Sequence, residues 1–439
     1  MTVMPRSPSR GAASWKWVLL SVVCAAGVWL YAQRVLIPYQ KADAAAQDRP
    51  RGNLSDLYPR WLGARELLLR GRDPYSAEIA REIQMGYYGR ALDPARPGDP
   101  RDLQGFAYPV YVVFVLAPTV RLPFAVVQQG FFWLLAILTA ASALIWLRAL
   151  RWAASFPERI TVLALTMGSL AVMQGLKLEQ MSLLVAGLIA IAILLLICDW
   201  QIAAGAVLAL AAIKPQLIVL LLVWLGMWTL GDLRRRWRWA ASFAVVMAIQ
   251  MAAAEWYLPH WIPRFWQAAR EYNAYTGAVG VVEKLAGPFV GRTLELLAVV
   301  VLMRLCWQKR RLDASDVAFA RMISLVLALT VLLVPAYSVY NQVLLIPALV
   351  ALFRERRAVW GRGFVGRALL LIGAGLIAWP WSTSVLLAVL SFLLPPATVE
   401  RAWAVPFWTA LLIPVGVAAM MLLYAGQLSF DDSARAASS

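Results

Sequence analysis

Asp56 is the residue whose type and position best suit chemistry, because it is a lone acid at the head of a run that alternates apolar and charged residues. The run spans residues 53–75, where leucines alternate with Arg60 and other charged residues, which is typical of a helix on a membrane surface. Gly71 predicts where this helix ends. Asp56 is therefore a candidate for chemistry, although an aspartate next to Ser55 equally suits the first turn of a helix, where the dipole favours negative charge.

Lys214 is the second candidate, because it separates two short apolar runs and precedes Pro215. A lysine held between apolar segments is unfavourable, and pairing with an anion commonly offsets that cost. The alternative is a lysine at a helix end whose long side chain reaches water. Both interpretations fit the sequence.

Two further polar breaks interrupt the apolar sequence, at residues 175–180 and 335–342. Their amides, hydroxyls and charges could contact a polar substrate. The alternatives are the cap of a helix hairpin for the first break and ordinary interfacial aromatics and amides for the second. The residues concerned are Lys177, Glu179 and Gln180 in the first break and Tyr337, Tyr340, Asn341 and Gln342 in the second.

Histidine and cysteine usage limits the kinds of chemistry. The chain has 1 histidine, His260, which lies between Pro259 and Pro263, so a metal centre built on several imidazoles is excluded. A structural or substrate-contacting role suits His260 better than that of a base. The 3 cysteines lie far apart in the sequence and predict neither a disulfide nor a metal site. Chemistry must therefore depend mainly on carboxylates, lysine, arginine and aromatic hydroxyls.

The composition predicts a polytopic membrane protein. Of 439 residues, 62% are hydrophobic and 15% are charged, and the mean hydropathy is +0.67. The net charge of +17 comes from basic clusters between apolar runs, at 234–238, 308–311 and 354–357. This distribution follows the positive-inside rule and is not that of a nucleic-acid-binding groove.

The apolar runs predict an all-α bundle of about 12–13 transmembrane segments. A basic N-terminus precedes a first span at 17–36, interpreted as an anchor because no convincing signal-peptide cleavage site follows it. The Pro-containing run at 106–123 is expected to be partly re-entrant or interfacial. The predicted divisions are 1–36, an external loop carrying amphipathic surface helices at 37–105, a multi-span domain at 106–425 with an external loop at 256–287, and a disordered polar tail at 426–439.

This topology places the polar breaks on one face of the membrane. The segment around Asp56, the breaks at 175–180, 213–216 and 335–342, and the loop at 256–287 all lie outside when the basic clusters lie inside. Such convergence predicts a functional site on the external face.

The order of four motifs resembles glycosyltransferase family 87, membrane enzymes of the GT-C type that include polyprenol-phosphate-mannose-dependent α-mannosyltransferases. The resemblance spans roughly residues 50–345 and depends on the ensemble of motifs. The motifs are DLYxxWxxARxLLxxGRDPY at 56–75, FAYP at 106–109, EQMSLL at 179–184 and AGAVLALAAIKPQ at 204–216.

The resemblance implies a GT-C-like enzyme of the cytoplasmic membrane that transfers a sugar, with mannose favoured, from a polyprenyl phosphate to a lipid or glycan hydroxyl on the external face. Asp56 matches the general base of the family, and a single displacement would invert the anomeric carbon. Lys214 and Lys177 would stabilise the leaving phosphate. No cofactor and no metal-ligating residue is implied, the metal requirement is left open, and the charge distribution excludes a nucleic-acid partner. The other expected substrate-binding residues are Glu179, Gln180, Tyr340, Asn341, Tyr108 and His260.

The chain departs from the family pattern at three positions. It has Tyr108-Pro109-Val110 where members commonly have Tyr-Pro-Pro, Glu179-Gln180 in place of Gly-Gln, and Tyr340-Asn341 where some members carry a histidine. The main alternative function is a transporter or flippase of lipid-linked sugars, and a non-catalytic scaffold is a third. A transporter would need ionisable residues at mid-membrane depth, whereas these breaks are predicted at one face.

Overall fold

The computed structural model describes residues 11–49, 55–93, 95–96, 99, 103–277, 279–335, 338–361 and 363–423. Within these ranges the chain consists of helices and connecting segments, with no β-strand. The predicted all-α polytopic class is confirmed. The tail predicted to be disordered, residues 426–439, lies outside the described residues.

The first helix is longer than the predicted span. Helix α1 (Gly11–Tyr31) continues through a π-helical turn (Ala32–Leu36) into α2 (Ile37–Ala46). The part from Trp15 to Ala46 is apolar and long enough to cross a membrane. The helix therefore extends past the predicted end at residue 36, and α2 brings polar side chains towards the segment that contains Asp56.

The segment with Asp56 forms a packed hairpin of α3 (Leu57–Arg70) and α4 (Ala77–Tyr88). Gly71 adopts a left-handed conformation with φ 65°, and its N–H donates to the Leu67 carbonyl, which ends α3 as its sequence predicts. Arg60 and Glu66 are buried, unlike charged residues on a solvated helix face. Helix α3 is thus enclosed by protein over more of its circumference than the amphipathic pattern indicates.

The run at 106–123 does not form a spanning helix. It contains α5 (Val112–Leu116) and one 3-10 turn (Ala117–Thr119). A helix of 5 residues is only about 7.5 Å long, so it cannot cross a bilayer. The short helix packs against α3, and the re-entrant or interfacial placement of the run stays a prediction.

The central bundle follows. Helices α7 and α8 are bent by 55° at Gly168 and Ser169. A Cβ on Gly168 would lie 2.3 Å from the Cα of Ala25, so glycine allows α1 to approach the bend closely. The helices are α6 (Phe124–Ala149), α7 (Phe156–Met167), α8 (Leu170–Lys177), α9 (Met181–Ile197), α10 (Gln201–Ala211), α11 (Pro215–Gly231) and α12 (Leu233–Tyr257).

The rest of the chain completes the bundle. A 3-10 segment (Val339–Leu345) lies between α16 and α17 and packs against α8 and α9. A final helix covers residues 412–423. The helices are α13 (Trp261–Thr276), α14 (Val281–Ala286), α15 (Pro288–Lys309), α16 (Val317–Leu333), α17 (Ile346–Arg354), α18 (Arg356–Trp360), α19 (Gly363–Leu390) and α20 (Pro396–Glu400).

Helix length separates two classes of apolar segment. In the described chain, 5 helices are long and apolar enough to cross a membrane, or up to 6 if the bent pair α7–α8 is one span. Other apolar helices, such as α9 with 17 residues, measure only about 26 Å. Several of these short helices begin or end at the polar breaks, so the fold places those breaks where helices of less than full bilayer length meet.

Candidate active site

Asp56 occupies the residue before α3, but its side chain does not cap that helix. Ser55 does so instead: its Oγ accepts a hydrogen bond from the Leu57 N–H at 3.0 Å and donates to the Leu178 carbonyl at 3.3 Å. The Asp56 N–H also donates to the Leu178 carbonyl, at 3.0 Å. The backbone of Asp56 is therefore fixed against the break at 175–180, and its carboxylate remains available for other contacts.

The Asp56 carboxylate is half-buried and faces polar side chains from two other elements. The Gln180 amide donates to Oδ2, and the Tyr87 hydroxyl of α4 donates to Oδ1 at 3.3 Å. A carboxylate can accept about four hydrogen bonds, so these two described contacts leave acceptor capacity on both oxygens. The arrangement can receive a proton from a bound hydroxyl group.

Lys214 is buried in the break between α10 and α11, with 7% of its surface exposed, and so does not extend to water. Its ammonium donates to the Gln180 Oε1 at 3.1 Å and to the Ser182 Oγ at 2.7 Å. Ser182 in turn donates to the Asn341 Oδ1 at 2.7 Å. Burial, and to a smaller extent the charge of Arg60, lower the pKa of Lys214 to about 7, while Asp56 opposes the shift.

One amide thus connects the two main candidates. Gln180 donates from Nε2 to Asp56 and accepts at Oε1 from Lys214. The residues come from three places far apart in the sequence, and the 3-10 segment adds Asn341 through Ser182. These contacts bring together the breaks around 56, 175–180, 213–216 and 335–342. The side of the membrane on which they lie, and their role as a functional site, stay predictions.

Arg60 belongs to the same cluster, although the sequence pattern places it among the charged residues of a membrane-surface helix. It lies one helical turn after Asp56, is 7% exposed, and donates from Nη1 to the Asp56 carbonyl at 2.7 Å. Its Cζ lies 4.6 Å from the centroid of the Tyr108 ring. The i, i+4 spacing from Asp56 was the signal that could have identified it, because such residues share a helix face.

Tyrosine rings form the wall around the cations. Lys214, like Arg60, faces the Tyr108 ring, with its Nζ 5.9 Å from the ring centroid. The same Nζ lies 5.1 Å from the centroid of the Tyr340 ring. Tyr272 of α13 lies within electrostatic range of Arg60, Tyr108 and Tyr340. Aromatic faces stabilise a nearby cation without neutralising its charge.

Lys177 and Glu179 lie near Asp56 but have partners of their own. The Lys177 ammonium donates to Gln40 of α2. Glu179 is 4% exposed, accepts from Gln128 of α6 at 3.4 Å, and has a left-handed backbone with φ 45°. Burial raises the pKa of Glu179 to about 7. Both charges act electrostatically on Asp56, so they border the site.

His260 is not brought into the cluster by any described contact. It is exposed, and its Nδ1 lies 3.9 Å from the Glu255 carboxylate, which also accepts the His260 backbone N–H at 2.7 Å. Its neighbour Trp261 is buried against the Tyr111 ring. The histidine therefore lies at the start of α13, whose other end brings Tyr272 to the cluster.

Two other features do not define the site. Within the described ranges, no group of three or more His, Cys, Asp and Glu residues is arranged to hold a metal ion. An open depression of about 450 Å³ lies on α15, lined by Pro288, Phe289, Arg292, Thr293 and Leu296. None of the candidate residues lines it, so the site is defined by the constellation of polar side chains around Gln180.

The sequence model of glycosyltransferase family 87 matches residues 106–335, slightly more than half of the chain. The chain belongs to glycosyltransferase family 87. It is therefore a membrane glycosyltransferase, which confirms the family predicted from the motifs. Comparison with curated proteins and with solved structures gives no match.

The family match covers one part of the glycosyltransferase's site. Lys177, Glu179, Gln180 and Lys214 lie within the matched residues, whereas Asp56 lies before them. Hydrogen bonds join the two parts through Gln180. The glycosyltransferase thus has a carboxylate, two buried cations and several sugar-compatible amides and hydroxyls in one place.

Proposed function

We propose that this membrane glycosyltransferase transfers a hexose, with mannose favoured, from a polyprenyl-phosphate donor to a hydroxyl of a lipid or glycan. Asp56 acts as the general base, and Lys214 binds the donor phosphate. The observation that carries the proposal is the hydrogen-bonded series from Asp56 through Gln180 to Lys214.

The chemistry requires a base and an anion-binding group at different points. An alcohol is a poor nucleophile, and a carboxylate within hydrogen-bond reach can take its proton as its oxygen attacks the anomeric carbon. The departing phosphate gains charge, which a preorganised cation stabilises. Asp56 and Lys214 supply these functions, and a single displacement between them inverts the anomeric configuration.

Gln180 supports this division of roles. An amide between the carboxylate and the ammonium fixes both groups while leaving each of them with unused hydrogen-bonding capacity. In a direct ion pair, Asp56 and Lys214 would instead neutralise each other's charge.

Helix α11 supports a site on the external face of the cytoplasmic membrane. Lys214 precedes its first residue, and the 17 residues of α11 extend roughly 26 Å to the opposite end. At that end Arg236, from the basic cluster at 234–238, donates to the carbonyls of Arg310 and Leu312. Basic clusters favour the cytoplasmic side, so the other end of α11 faces outward.

The donor class can be tested with the purified full-length enzyme in proteoliposomes. Radiolabelled mannosyl polyprenyl phosphate should transfer its label to a lipid or glycan acceptor, whereas a labelled nucleotide sugar should not. Product analysis should give the inverted linkage. Transfer from the nucleotide sugar, or retention of configuration, would contradict the proposal.

A further inference from the structure

Two buried cations share one wall of the site. Arg60 from α3 and Lys214 before α11 are each 7% exposed. Both lie against the Tyr108 ring, with Arg60 Cζ at 4.6 Å and Lys214 Nζ at 5.9 Å from its centroid. They are close enough for the charge of Arg60 to disfavour the charged form of Lys214.

The protein leaves much of this positive charge uncompensated. Arg60 donates to a backbone carbonyl, and its Nε is buried without a hydrogen-bond partner in the part of the chain that the structure describes. Lys214 donates to an amide and a hydroxyl, which are neutral. The carboxylate of Asp56 is bonded to Gln180 and Tyr87. Because buried charge is stable only when paired, two cations with one nearby carboxylate favour an additional anion.

We propose that Arg60 and Lys214 together form a binding site for a phosphate dianion. This site binds the leaving polyprenyl phosphate, a dianion, more tightly than it binds the singly charged donor. This inference rests on the polyprenyl-phosphate donor of the proposed function. Arg60 supplies a planar group with donors that match phosphate oxygens, and Lys214 supplies a compact charge beside it.

The charge balance of the transfer explains why two cations are useful. The donor is a phosphodiester with one negative charge, and Asp56 carries another. When the acceptor oxygen bonds to the anomeric carbon, the acceptor proton moves to Asp56, and the sugar–phosphate C–O bond breaks with its electron pair on the phosphate. Asp56 is then neutral and the phosphate monoester is a dianion. The reaction therefore moves one negative charge from Asp56 towards Arg60 and Lys214.

Because of this charge movement, the two cations stabilise the transition state and the product more than the bound donor. An interaction that strengthens as charge develops on the leaving group lowers the barrier more than it stabilises the bound donor. The same interaction retains the product, so the free polyprenyl phosphate should inhibit the enzyme more strongly than an analogue with one charge.

Two short probes test the inference directly: farnesyl phosphate, a monoester, and its methyl diester, which carries one charge. Calorimetry at pH 7 on the purified full-length enzyme in detergent should show at least about tenfold tighter binding of the monoester, the effect of one charge-assisted hydrogen bond. Arg60→Gln should reduce this preference towards parity. The matched control Arg65→Gln, on the same helix but facing Trp61, should keep it.

A second measurement does not depend on how Arg60→Gln folds. Lowering the pH from 7 to 5 protonates most of the monoester, whose second pKa is about 6, and should reduce a tenfold preference to about twofold in the wild-type enzyme. Arg60→Lys, which keeps the charge without the planar donors, should show an intermediate preference. Equal affinities at pH 7, or an unchanged preference in Arg60→Gln, would overturn the inference and leave the proposed donor intact. If neither probe binds, the donor class also fails.

Discussion

The two ends of α11 each hold a buried cation, and they use it differently. At the end that faces the basic clusters, Arg236 is 8% exposed and donates to the carbonyls of Trp228, Arg310 and Leu312 at 2.7–2.8 Å. Its guanidinium also lies 4.3 Å from the Trp228 ring centroid. At the other end, Lys214 is equally buried but donates to side chains of a polar cluster.

The comparison shows that burial alone does not separate a structural cation from a functional one. The donors of Arg236 are directed at carbonyl oxygens that end helices or form turns, so this arginine holds α11, α12 and the segment after α15 together. Lys214 and its neighbour Arg60 retain hydrogen-bonding capacity towards a cluster that contains a carboxylate. Unused donors at a buried cation point to a ligand, whereas saturated ones point to architecture.

Lys214→Met should have the largest effect that separates the two ends. Loss of the charge at the phosphate should lower kcat/KM by about 10²-fold, comparable with removal of one group that stabilises developing charge. Thermal unfolding in detergent should change little, because Met fills a similar volume and the removal of a buried charge offsets the lost hydrogen bonds to Gln180 and Ser182. The measurement is the steady-state rate of transfer from polyprenyl-phosphate mannose by the wild type and by Lys214→Met. A normal kcat/KM in the variant would indicate that Lys214 is structural, like Arg236.

Arg236→Met should show the opposite pattern. It removes the Arg236 donors from the Trp228 and Arg310 carbonyls, whereas the Leu312 carbonyl keeps the Trp228 indole N–H, so the free energy of unfolding should fall by roughly 2–4 kcal/mol. The kcat of the remaining folded enzyme should stay normal. Thermal unfolding together with activity per folded molecule tests this, and a loss of kcat without a loss of stability would contradict the structural role.

The pH dependence of donor binding should also distinguish Lys214. Its pKa is lowered to about 7, so the ammonium that binds phosphate is lost as the pH rises through 7. The donor KM should therefore increase above pH 7, approaching about tenfold per pH unit. Lys214→Arg keeps its charge in this range, so its profile should lack the tenfold rise and show at most the titration of Glu179, whose pKa is also about 7. An identical profile in wild type and variant would assign the titration to another group.

His260→Ala should have the smallest effect. The side chain is exposed and its described partner is Glu255, so kcat/KM should remain within about twofold, as for most surface substitutions. A larger loss in the same transfer assay, without a change in stability, would indicate that His260 reaches the substrate.

Some of this arrangement could be predicted from the sequence because it depends on local chemistry. Gly71 ends α3, and polar breaks between apolar runs mark where helices meet. The positions of Asp56, Gln180 and Lys214 follow from those breaks. Their convergence was predictable from topology, since breaks on the same side of a bundle lie near one another.

The other features of the site depend on contacts between distant segments, which the periodicity of hydrophobic residues along one helix does not predict. A charged residue on one face of α3 reads as solvated, but Arg60 is enclosed because Tyr108 and the break before α11 cover that face. The hydrogen bond from Lys177 to Gln40 could not be predicted either, because Gln40 lies in the part of the first helix that continues past residue 36. The identity of the covering residues is a property of packing between distant segments.

The most direct test of the account is the turnover of Asp56→Asn. This change keeps the shape of the side chain and its contact region with Gln180 but removes the base. With mannosyl polyprenyl phosphate and acceptor in proteoliposomes, kcat should fall by about 10²–10⁴-fold while donor affinity and thermal stability stay unchanged. Near-normal turnover would contradict the assignment of Asp56 as the general base.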